Sequence, residues 1–214
     1  MIIHRLYKIK GDSTIPNADQ LKFWGYIIIN DSYWLVNQKQ IKPTLGHCFV
    51  SGQNSNGWNT CSISLSPTWI SRHDLESDRI YTISGNITTE SSGGGLKFNY
   101  KPNDARLVGE DVKEIHEKRV MIYSDGTILS VKEECKSGIV PSFEVIVGHT
   151  VNNDCNSLRA KYLLDNNHIR IPEGTKLKDG DRVNFYGSLE GIDSDLDMMV
   201  VQVYEGMYEN TNEN

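Results

Sequence analysis

The sequence predicts an all-β protein made of two tandem small barrels with few short helices, and three observations carry that prediction. Apolar residues rarely recur at the 3.6-residue spacing of an amphipathic helix, and the best such stretch, residues 109–118, is short. Brief runs rich in Val, Ile, Tyr, Phe and Thr are bounded instead by Gly, Asn, Asp and Ser, the punctuation of strands and turns. The order of these runs then recurs after roughly 95 residues, too long for a solenoid repeat and suited to two domains that each bury a small core. A chain of 214 residues has room for both.

Taken in order, residues 26–36 and 120–131 read as matching hairpins, with Asp125-Gly126 able to supply the positive-φ pair of a type I′ turn. Residues 48–52 then correspond to 143–148, each followed by an Asn-rich turn and another strand. Residues 75–87 parallel 177–189: a Leu, an Asp-Arg pair, an apolar strand and a Gly, which is Gly85 in one copy and Gly187 in the other. Each copy ends in a last strand, 96–100 or 198–204. The expected domains are therefore 1–101 and 118–206, with 102–117 as linker and 207–214 as a disordered acidic tail.

That order of elements resembles the OB-fold. The segment Asp181-Arg182-Val183-Asn184-Phe185-Tyr186-Gly187 looks like the strand that single-strand-binding, replication protein A-like proteins place before their penultimate turn, with Gly187 permitting the bend. The resemblance implies a helix before the fourth strand, near 68–76 or 172–178, and a single-stranded DNA or RNA ligand of the kind handled in DNA replication. Short strands punctuated by Gly and Asn also suit a β-sandwich or an SH3-like barrel, so those topologies stay open.

Charge separates the halves. The net charge is −6, yet residues 1–100 hold nine Lys/Arg against seven Asp/Glu, so the deficit lies in residues 101–214. All four tryptophans also fall in the first half. An OB-like module there would stack bases on aromatic faces and meet phosphates with Lys and Arg. The candidate binding residues are Trp58, Trp34, Tyr33, Phe98, Tyr100, Lys39, Lys42, Arg72, Lys97 and Lys101. Core burial is the commoner fate of a Trp in a β protein, and Trp24 and Trp34 are the rings it would claim first, through a hairpin capping one barrel end. Trp58 is the strongest candidate, because its polar, Gly-flanked surroundings Gly52-Gln53-Asn54-Ser55-Asn56-Gly57 offer nothing apolar to bury it. The corresponding loop of the second half, 149–157, has no aromatic residue, so that module is expected to bind weakly or to serve a structural role.

Other chemistries find little support. Cys48, Cys61, Cys135 and Cys155 are too few for a disulfide framework and include no C-x-x-C pair, so they read as reduced thiols. His47 and Cys48 are adjacent, which on a strand sends them to opposite faces and spoils a metal site. Asp193-Ser194-Asp195-Leu196-Asp197 opens like a calcium loop, but Met198 stands where Gly is needed, so it reads as an acidic hairpin turn. Gly93-Gly94-Gly95 lacks the Lys-Ser/Thr of a phosphate loop, and no G-x-S-x-G elbow occurs. The expectation is a non-enzymatic binding protein with no cofactor and no metal. No apolar run of 18 residues suggests a membrane span, and the charged start lacks a secretory leader, so an intracellular place (cytoplasm or nucleus) is expected. Alternatives are a protein-interaction or scaffold subunit with other protein subunits as partners, or a carbohydrate-binding or virion structural β-sandwich.

Overall fold

The computed structural model describes residues 5–8, 21–31, 44–50, 59–69, 75–89, 95–108, 118–134, 142–150, 157–165, 167–193 and 195–209. Its strands are β1 (Leu6–Lys8), β2 (Leu21–Asp31), β3 (Thr44–Val50), β4 (Asn59–Pro67), β5 (Ile80–Thr89), β6 (Leu96–Tyr100), β7 (Arg106–Leu107), β8 (Met121–Glu134), β9 (Ser142–Thr150), β10 (Ser157–Leu164), β11 (Arg182–Asp193) and β12 (Met198–Glu209). A single 3-10 turn, Pro102–Asp104, is the helical element among the described residues, and it is far too short to cross a membrane. The protein is all-β.

The strands fall into two compact units, Lys22–Met121 and a second made of Met1–Leu21 with Ile122–Asn214. In the first, the N-terminal barrel, β2 pairs antiparallel with β3 and with β5, β3 with β4, and β5 with β6. A parallel pairing of β4 with β6 closes the ring. The result is a five-strand barrel in OB-fold order, and it excludes the sandwich topology for this unit. The second, C-terminal barrel repeats the order: β8 with β9, β9 with β10, β10 parallel with β12, β12 with β11, and β11 back to β8.

Period-2 alternation decides the faces. Along β2, Leu21, Phe23, Ile27 and Ile29 are buried while Lys22, Trp24 and Asn30 are exposed. The interior of the N-terminal barrel is apolar, with Ile63, Leu65, Ile83 and Ile87 around a Phe23–Phe98 edge-on pair at 5.0 Å. The C-terminal barrel instead buries a polar chain among its aliphatic residues. The His149 Nδ1–H donates to the Asp125 backbone carbonyl at 2.7 Å, and the Tyr162 hydroxyl donates to His149 Nε2 at 3.0 Å. The Asn184 amide donates to the Asp125 carboxylate at 2.5 Å and to the Tyr123 hydroxyl at 2.6 Å. Burial raises the Tyr162 phenol far above its ordinary range, so it stays a proton donor here.

Gly85 and Gly187 occupy the same place in the two barrels, where the fourth strand crosses the fifth. A Cβ on Gly85 would overlap the Asn99 carbonyl, and one on Gly187 would overlap the Gln202 carbonyl. The absence of a side chain is what lets these backbones approach.

Three sequence expectations change. Asp125-Gly126 is no hairpin turn: β8 runs straight through it, and Asp125 is buried at 1% exposure because Asn184 satisfies its carboxylate. Likewise β2 continues through Asn30 and Asp31, and its partner there is β3. The unit boundaries differ as well from 1–101 and 118–206. Strand β1 runs parallel to β12, Leu6 beside Gly206, so the chain start belongs with the C-terminal barrel. The expected linker begins as part of the N-terminal barrel, since β7 pairs with β5, and the expected tail begins as strand, since Met207 and Tyr208 lie in β12. Residues 172–178 form turns rather than a helix, while the helical candidate 109–118 lies outside the described residues up to 117.

Candidate functional site

The outer faces of the strands are the surfaces a ligand can reach, and the two barrels dress them differently. Strands β3 and β4 of the N-terminal barrel set Leu45, His47 and Phe49 opposite Ser64, Ser62 and Thr60 in register. Leu45 is exposed and Phe49 half-buried; His47 is held in place by a 3.2 Å hydrogen bond to the Ser62 hydroxyl. Lys97 of β6 lies beside Ser64 in the parallel ladder, so its cation borders the same face. Along β2, Lys22, Trp24 and Tyr26 form a second outward row. Trp24 is 52% exposed and meets Tyr26 edge-on at 6.2 Å. The Lys118 ammonium sits 4.8 Å from the centre of the Tyr26 ring and donates to its hydroxyl at 3.4 Å.

Carboxylates are almost absent from this surface. Strands β2 to β6 contain one acidic residue, Asp31 at the end of β2, whereas β8 to β12 contain eight. The corresponding face of the C-terminal barrel carries two ion pairs. Lys161 on β10 contacts the Asp193 carboxylate at 2.7 Å, and Lys132 lies 3.7 Å from Glu144. The Lys161 hydrogen bond, helped by the backbone N–H of Leu196 and Asp195, holds the Asp193 carboxyl below the usual carboxylate range. The outward positions of β9 and β10 bear no aromatic ring.

The sequence-derived candidates divide into three groups. Tyr33, Trp34, Lys39 and Lys42 fall between β2 and β3, Trp58 between β3 and β4, and Arg72 between β4 and β5; all six lie outside the described residues. Lys97 and Lys101 are surface cations on and just after β6. Phe98 and Tyr100 are a correction. They alternate with Lys97 and Asn99 along β6 and point inward, at 0% and 5% exposure, so neither ring leaves a face for a stacking partner. Trp24 corrects the expectation in the opposite sense, being a surface ring rather than a core one. Phe49 and His47 were not among the nucleic-acid candidates read from the sequence, although their alternation with Cys48 placed them outward. That same alternation sends Cys48 into the core, facing Cys61 across the strand pair, and keeps it from sharing a ligand set with His47. The hydrogen bond with Cys61 and burial together push the Cys48 thiol well above its ordinary value.

No family model matches the chain, and no curated protein matches it. Among solved structures the chain is similar to the crystal structure of wild-type single-stranded DNA binding protein from Thermus aquaticus, with a TM-score of 0.51 and 10% identity, over 92% of this chain and 94% of that one. At this identity the likeness is one of fold.

Proposed function

We propose that this protein binds single-stranded nucleic acid, DNA in the first instance, as a non-enzymatic binding protein, and that the N-terminal barrel does most of the binding. The observation that carries the reading is the partition of charge onto strands: the N-terminal barrel presents aromatic and cationic side chains on strands nearly free of carboxylates. A polyanion can lie along such a face despite a net charge of −6, because affinity depends on local charge and stacking. The similar protein of solved structure is by its title a single-stranded DNA binding protein, which favours the same ligand.

In this reading Trp24 and Phe49 give rings from the strand faces, and Tyr33, Trp34 and Trp58 give rings from the connections. Lys22, Lys39, Lys42, Arg72, Lys97, Lys101 and Lys118 follow the phosphates. The β2–β3 connection carries two rings and two lysines, and it corresponds to one of the loops through which OB-folds hold oligonucleotides. Phe98 and Tyr100 act only by holding the barrel together.

Because all four tryptophans lie in residues 1–100, tryptophan emission reports on this barrel. Titration with oligo(dT) is expected to quench it, with an affinity that falls steeply as salt rises. Trp58→Ala or Trp24→Ala should each weaken binding by about 1–3 kcal/mol, the worth of one stacked base. Salt-insensitive binding to a glycan, with no response to oligo(dT), would replace this reading by the carbohydrate-binding one.

A further inference from the structure

The C-terminal barrel holds a cleft that the charge partition does not anticipate. Strand β1 lies parallel to β12, and just before it Arg5 forms an isolated parallel bridge with Arg170, fixed by the Leu6 N–H donating to the Arg170 carbonyl at 3.2 Å. The cleft beside this bridge encloses about 860 Å³. Leu6, Phe143 and Ile171, all buried, belong to the apolar part of its lining. Its charged lining is Arg5, Lys8 and Arg170 against one carboxylate, Glu173. Tyr7, 49% exposed, supplies an aromatic ring.

Residues facing each other across a parallel bridge project their side chains to the same side, so the backbone sets two guanidiniums abreast. Among the described residues neither guanidinium has an ion-pair partner. Like charges held together repel even with one carboxylate, Glu173, in the same cleft, and an anion with several acceptor oxygens relieves both at once. The guanidinium fork suits a phosphate group in particular. A ring beside that anion site, with a cleft of this size, extends the match from a phosphate to a nucleotide.

We propose that this cleft is a nucleotide site, in which Arg5 and Arg170 grip a phosphate and Tyr7 stacks the attached base. The nucleotide can come from a bound strand or be free in solution; the strand as source rests on the function proposed above, and the cleft chemistry does not. The C-terminal barrel would then be a binding module in its own right rather than a passive one.

The full-length protein can be cross-linked to iododeoxyuridine-containing oligo(dT) and the modified residues mapped by mass spectrometry. Tyr7 is expected among them, and Arg5→Ala with Arg170→Ala should remove that cross-link and weaken the strand about tenfold. The same pair should flatten the dependence of log affinity on log salt by roughly 0.7, the contribution of one neutralised phosphate on a single strand. Both arginines are exposed, so an unchanged melting temperature verifies folding. If oligo(dT) quenches tryptophan emission as before while Tyr7 is never cross-linked and the salt dependence stays the same, the cleft proposal is overturned and the N-terminal reading survives. If the wild-type protein ignores oligo(dT), that reading falls instead, and calorimetry with dTMP decides the cleft. Binding of dTMP that the double variant loses supports the site. Absence of dTMP binding, or inorganic phosphate binding as tightly as dTMP, refutes it.

Discussion

The N-terminal and C-terminal barrels share one strand order but solve the interior differently, and the contrast separates what a fold requires from what it permits. Both need a side-chain-free position where the fourth strand crosses the fifth, and both have it in Gly85 and Gly187. Neither needs a particular core chemistry. One is filled with Ile, Leu and Phe, while the other accommodates Asp125, His149, Tyr162 and Asn184 because each finds a partner. The outer faces diverge in the same way: one is nearly free of carboxylates and the other pairs Lys161 with Asp193 and Lys132 with Glu144.

Breaking the shared feature should have the largest effect. Gly85→Ala and Gly187→Ala each drive a methyl group into a backbone carbonyl that cannot retreat without tearing the ladder, at a cost of about 4 kcal/mol or more. Denaturant titration followed by tryptophan emission should register Gly85→Ala strongly. The same probe should report Gly187→Ala far less, because the C-terminal barrel contains no tryptophan. Equal loss of the emission transition in both variants would mean that the barrels unfold as one unit.

Interchanging one hydroxyl sharpens the comparison of cores. Phe98→Tyr would bury a hydroxyl in an apolar interior, and Tyr162→Phe would strip His149 Nε2 of its donor. Each is expected to lower unfolding free energy by about 1–3 kcal/mol, since a buried polar group without its partner is costly in either direction. A neutral Tyr162→Phe would show that the polar chain contributes little to stability.

The smallest effect belongs to the half-buried Lys161–Asp193 pair. Because the Asp193 carboxyl is held low in the folded protein, its contribution is present above the ordinary carboxylate range, near pH 4, and is lost as pH falls through the lower folded value. Melting temperatures of the wild type and Lys161→Met should differ slightly at pH 6 and converge towards pH 2. The gap stays small because water still reaches both side chains and, with salt, screens the pair.

Much of this architecture was legible because it depends on local rules. Alternation in β2 and β6 separates inward from outward residues, and the Asp-Arg and Gly landmarks flag the fourth strand of each barrel. Misreadings arose where a distant partner overrode the local signal. Asp125-Gly126 carries the composition of a turn, but Asn184, 59 residues away, draws the Asp inward and keeps the strand straight. Trp24 looked like core by residue type, yet its position between Phe23 and Gly25 put it outside. Nothing near residues 5–8 announces β12 as a partner, because parallel pairing between chain ends leaves no mark on sequence spacing.

The amino-acid sequence by itself determined that the chain is β throughout, that its strands recur in a fixed order, and that the tryptophans fall in the first half while the carboxylates gather in the second; periodicity, backbone freedom and composition are properties of neighbours along a chain. Tertiary structure alone decided that the N-terminal strand joins the C-terminal barrel and that Arg5 meets Arg170. Those outcomes depend on hydrogen-bond partners more than a hundred residues apart, whose pairing energy is set only once the barrels have closed.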